Sequence, residues 1–169
     1  MKRAIIYFME IIICFVLQSS LYQFFNLANV MPNLLLILVV STAYMRGRSS
    51  GLIIGFFSGL LIDIMFGSLF GLYALFLMVI GYAAGYTHKI YSKDDYALPL
   101  ILIAVADFVY QFLYYIFEFL LRGKLDILFY MRKIIIPEII YTVAAATVVY
   151  KLLHIINNRL DRNENKEEK

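Results

Sequence analysis

The sequence predicts an all-α fold, a polytopic membrane bundle of about six transmembrane helices. Composition is the first reason: 63% of the 169 residues are hydrophobic and 16% charged, against about 45–50% apolar and about 25% charged in an ordinary soluble domain. A chain this short leaves much of its surface facing solvent, so a mean hydropathy of +0.80 implies that the solvent is lipid. The apolar residues also fall in runs of helix length, separated by short polar or Gly-containing turns. Finally, Lys and Arg concentrate in alternate connections. They leave the net charge of +3 as a topology signal and form no nucleic-acid patch.

Six spans follow in order. The first runs about Ala4–Phe25; its Met1-Lys2-Arg3 start resembles a signal peptide, but no small-x-small cleavage site follows, so it reads as retained. The second opens at Pro32, read as a first helical residue, and ends at Arg46-Gly47-Arg48. The third covers Gly51–Phe66, the fourth Leu69–Thr87, the fifth Tyr96–Leu121 and the sixth about Ile134–Ile156, kinked or entered at Pro137. Pro32–Met45 and Gly51–Phe66 hold only 14 and 16 residues. They reach about 21–24 Å against a hydrocarbon core about 30 Å thick. Either they extend into their loops or protein shelters them.

Lys2, Arg3, Arg46, Arg48, Lys89, Lys93, Lys151 and the basic residues of the tail share one side of this topology, with only Arg122, Lys124, Arg132 and Lys133 opposite. The positive-inside rule then places both termini in the cytoplasm. Residues 1–156 form one integral membrane domain, and residues 157–169 a polar, solvated cytoplasmic tail. The single Cys14 excludes an internal disulfide.

From residue 51 the chain reads GLIIGFFSGLLIDIMFGSLFG, with Gly51, Gly55, Gly59, Asp63, Gly67 and Gly71 at four-residue intervals. Such a step drifts only about 40° around a helix, so Gly51, Gly55 and Gly59 make a smooth strip for close approach of another helix. Asp63 then falls near the end of span three. There it opposes the helix dipole and costs at least about 2.5–3.5 kcal/mol in the apolar layer. It needs a partner, for which Arg122, Lys124, Arg132 and Lys133 are the cations on that side. A second polar face belongs to span five: Asp107, Gln111, Tyr114 and Glu118 lie at spacings of 4, 3 and 4, on one side of a helix. That face serves either helix–helix hydrogen bonding or a site. Glu10 and Glu138 are similar intramembrane acids, and Glu10 is close enough to Lys2-Arg3 to reach the interface.

No GxxxxGK[ST], HExxH or GxSxG motif and no nucleophile–His pair is present, and His88 and His154 are far apart. The sequence therefore predicts no catalytic residues, no metal, no cofactor and no enzyme.

The stretch from Pro32-Asn33-Leu34 through Gly55-Phe56, Gly59-Leu60, Asp63, Gly67 and Gly71 to Gly81-Tyr82, with Gln18-Ser19-Ser20 in span one, resembles the bacterial rod shape-determining family MreD. That resemblance implies a fold similar to the membrane S-components of vitamin transporters. It also implies an inner-membrane scaffold of the cell-elongation machinery, binding MreC and, indirectly, the MreB filament and the peptidoglycan polymerase and transpeptidase pair. In that reading the glycine strip and Asp63 organise the bundle, other faces meet MreC or a second copy of the chain, and Arg46–Ser49 and His88–Asp95 meet cytoplasmic partners. The competing readings are a substrate-binding subunit of a vitamin transporter, with a pocket lined from span five, and a proton-coupled carrier using Asp107 and Glu118.

Overall fold

The computed structural model describes residues 2–25, 31–66, 71–91, 96–117 and 127–167. Gly67 and Glu118 fall outside these residues, as do Arg122, Lys124 and most of the loop after Tyr91. The described chain is helical throughout: α1 (Lys2–Phe25), α2 (Leu34–Arg46), α3 (Arg48–Phe66), α4 (Leu72–Ala84), α5 (Ala97–Tyr115), α6 (Ile127–Tyr130) and α7 (Ile136–Glu167). A 3-10 turn, Gly85–Ile90, continues α4, and a π-helical turn, Met131–Ile135, joins α6 to α7. Successive helices alternate in direction, giving six legs. Four of the helices are long and apolar enough to cross a membrane.

Helix α2 is the axis of the bundle. Every residue from Leu34 to Met45 is buried, and α1, α3, α4, α5 and α7 all pack on it. An all-round apolar helix belongs in such a position. Lipid is as apolar as Leu, so this burial gains close packing rather than release from water. At 13 residues α2 is about 20 Å long, short of the bilayer core, and the surrounding helices shelter it. The third span solves the same shortage differently, by beginning at Arg48 and running 19 residues. Gly47 makes the reversal between the two possible in one residue. It adopts φ 93°, a left-handed conformation open to glycine, and its N–H bonds to the Ala43 carbonyl at 2.8 Å.

Three expectations change. Pro32 is not helical: Asn33 caps α2, its side-chain oxygen accepting from Leu36 N–H at 3.1 Å, and Pro32 supplies a carbonyl to Leu34 N–H at 3.2 Å. The last span, expected from about Ile134 and kinked or entered at Pro137, starts earlier. The helical run begins at Ile127 and passes Pro137 through the π turn, in which Ile136 N–H bonds to the Met131 carbonyl. The wider turn accommodates a residue that has no N–H and would crowd the carbonyl four residues earlier. Residues 157–167, expected as a solvated tail, continue α7. There Asn157 accepts from Arg46 Nε at 2.6 Å, and Asp161 pairs with Arg46 at 2.7 Å and Arg3 at 3.1 Å. These contacts tie the first turn of α1, the last of α2 and the end of α7 together.

The start of α2 gives a direct test. Asn33→Ala removes the cap and is expected to cost about 1 kcal/mol, read as a lower thermal midpoint of the detergent-solubilised chain. Asn33→Ser, which keeps an oxygen acceptor, should recover most of the loss, and equal midpoints for Ala and wild type would refute the cap.

Candidate functional site

The glycine strip of α3 faces α4 inside the same chain, and among the described helices these two make the most extensive contact. A Cβ added at Gly51 would collide with the Gly81 carbonyl and with Ala43 of α2; one at Gly55 with the Leu77 carbonyl; one at Gly59 with the backbone of Tyr73 and Ala74. The contact is reciprocal. A Cβ at Gly81 would strike the Gly51 carbonyl and Val39 of α2, and one at Gly85 the backbone of Arg48. The seam thus runs backbone against backbone from Arg48–Gly85 at one end to Gly59–Ala74 at the other, a spacing only glycine permits.

Gly71 plays no part in this seam. Helix α3 ends at Phe66, so the four-residue register stops meaning one helix face. Gly71 has φ 94° and nothing within 4 Å of an added Cβ. Its role is the turn into α4, where it occupies the N-cap without a capping side chain.

Asp63 supplies the missing cap from across the seam. It is buried, and its two carboxylate oxygens accept from Tyr73 N–H at 3.1 Å and Ala74 N–H at 2.8 Å. These are the second and third residues of α4, the donors a capping side chain normally satisfies. Among the described residues its partner is thus the positive end of a helix and not the expected Lys or Arg. The two basic candidates that the structure describes, Arg132 and Lys133, are exposed, and the Lys133 ammonium lies 4.9 Å from the Phe129 ring centroid. An acid at the end of one helix looks unfavourable only until the adjacent helix start is seen.

The start of α2 uses the same device with neutral groups. Gln18 Oε1 on α1 accepts from Leu35 N–H at 3.1 Å, and Thr142 Oγ1 on α7 accepts from Asn33 N–H at 3.2 Å. Sequence reading singled out Gln18 but gave it no partner, and it missed Thr142. A hydroxyl at an inward position of the last helix was the available signal.

The polar face of span five turns inward. Asp107 is fully buried beside the Thr142 hydroxyl, which accepts from Asn33 N–H and keeps its own O–H to offer the carboxyl group. One turn along α5, Gln111 reaches Glu138 of α7. Gln111, Tyr114 and Glu138 line a cavity of about 440 Å³ together with Gln18, Ser19, Tyr73, Tyr110 and Tyr130. It lies at the end of the bundle where α2 and α4 begin.

The histidines sit at the opposite end. His88 Nδ1 is 2.9 Å from the Tyr44 carbonyl, and His154 Nε2 is 2.9 Å from Asn158 Nδ2. Among the described residues no three His, Cys, Asp or Glu side chains converge as metal ligands would.

A family model described as rod shape-determining protein MreD matches residues 1–159 of the chain. No curated protein and no solved structure matches it.

The two kinds of glycine should respond differently to one added methyl. Gly55→Ala forces α3 and α4 apart and is expected to cost about 1–3 kcal/mol or more. Gly71→Ala meets only backbone strain, roughly 1–2 kcal/mol. Thermal midpoints in one detergent decide it: Gly55→Ala should melt below Gly71→Ala, and the reverse order would contradict the seam.

Proposed function

We propose, from the premise that the chain belongs to the MreD family of rod shape-determining membrane proteins, that it is a non-catalytic scaffold of the bacterial cell-elongation machinery. It crosses the inner membrane several times with both termini in the cytoplasm. It binds MreC and thereby links the MreB filament to the peptidoglycan polymerase and transpeptidase pair.

The family match over residues 1–159 carries this reading, and the geometry supports it in two ways. First, the glycine strip is filled by α4, so a partner span meets other surfaces. Helix α1 has little of its apolar surface covered: Ile5, Phe8, Met9, Ile13, Val16 and Leu17 are all more than half exposed. Second, basic side chains cluster where a cytoplasmic partner would meet the bundle. Arg46 is committed to Asn157 and Asp161 and Arg48 stacks on the Tyr86 ring at 3.4 Å, leaving Ser49, His88, Lys89 and Ile90 exposed around them.

The alternative, a substrate-binding subunit of a vitamin transporter, has the cavity in its favour. Purification of a tagged chain at native abundance in mild detergent separates the two. MreC should leave the membrane with the chain, accompanied by peptidoglycan synthases. An ATPase and a membrane coupling subunit in place of MreC would overturn the scaffold and assign transport.

A further inference from the structure

We propose that the cavity between α1, α4, α5 and α7 is a binding site for an organic cation, a protonated amine or quaternary ammonium group held by Glu138 among tyrosine rings. Its volume of about 440 Å³ falls in the ordinary range for small-molecule sites, about 300–1,000 Å³.

The lining chooses the charge. Glu138 contributes a carboxyl group, and Asp107, within electrostatic reach of it, lies one turn of α5 deeper beside the Thr142 hydroxyl. Among the described lining residues there is no Lys or Arg, so none of them offers the acids a cation. A carboxylate in such a place needs either a proton or a countercharge, and a cationic ligand supplies the second. Among the described lining residues an anion has no cationic side chain to hold it. At this end of the bundle the starts of α4 and α2 are already engaged, α4 by Asp63 and α2 by Asn33 and Gln18.

The aromatic lining agrees with the charge. Tyr73 has its ring centroid 5.8 Å from that of Tyr114 and 6.3 Å from that of Tyr110, and all three line the cavity as a cluster of rings. Ammonium groups bind within about 6 Å of the faces of such rings. Gln111 and Glu138 line the same cavity as these rings, so a bound cation would meet acceptor oxygen and aromatic ring together. The inference is independent of the scaffold reading, since it concerns a site inside the chain.

The test uses the full chain in nanodiscs of phosphatidylglycerol, titrated with choline, benzyltrimethylammonium and dimethylbutanol, the neutral carbon isostere of choline. Both cations should raise the thermal midpoint and give saturable binding, with the isostere at least tenfold weaker. Glu138→Gln should weaken the cations about tenfold or more and leave the isostere unchanged. Equal binding of choline and its isostere, or no saturable binding of either cation, would overturn the proposal, and this comparison on the wild-type chain needs no variant to fold. Adding phosphatidylethanolamine to the nanodiscs distinguishes the source of the amine. Competition with choline would assign the site to a lipid headgroup ammonium, and its absence to a soluble amine; either result supports a cation site.

Discussion

Every backbone N–H that starts a helix inside the bilayer must find an acceptor within the protein, and this constraint organises the molecule. In water, the first N–H groups of a helix can bond to solvent; in the hydrocarbon layer each unpaired group costs several kcal/mol. Helices α2 and α4 have 13 residues each, about 20 Å against a core of about 30 Å. Their starts therefore need acceptors from neighbours. Asp63 serves α4, while Asn33, Gln18 and Thr142 serve α2. Both helices begin at the same end of the bundle, the end at which the cavity lies.

The glycine seam and the Asp63 cap depend on each other. The carboxylate reaches Tyr73 and Ala74 because Gly59 allows the α3 backbone to approach the α4 backbone at those residues. Conversely, two charge-assisted hydrogen bonds fix the register of the pair, which packing of small residues alone would leave free to slide. At the far end Gly85 against Arg48 and the Gly47 reversal hold the same register. The side chains that reach outward from this seam, such as Phe56 and Phe57, face lipid or a partner.

Much of this was legible in the sequence, and the limits were physical. Membrane class, six apolar runs and the inward face of Asp107 and Gln111 follow from hydropathy and helical spacing, which are local properties. The spacing of Gly51, Gly55 and Gly59 shows a strip but not which helix fills it. The partner of Asp63 was invisible because it is a backbone group: Tyr73 and Ala74 are identified by position at a helix start, not by side chain. The same reason hid the Gln18 and Thr142 caps. Gly71 continued a numerical pattern whose meaning ended with α3 at Phe66. The start of the last span read too late, near Ile134, because a π turn ahead of Pro137 leaves no mark in composition, and the tail read as solvated because its partners, Arg46 and Arg3, lie more than a hundred residues away.

Hydrogen exchange in nanodiscs tests the central claim most directly, by comparing the first turn of α4 in the wild-type chain and in Asp63→Ala. Peptides spanning Leu72–Phe76 should be protected in the wild type and exchange at least tenfold faster in the variant, with Leu34–Leu38 of α2 unchanged as the internal control. Equal protection of Leu72–Phe76 in both proteins would contradict the account, since the α4 start would then be satisfied without the carboxylate on which the seam is argued to depend.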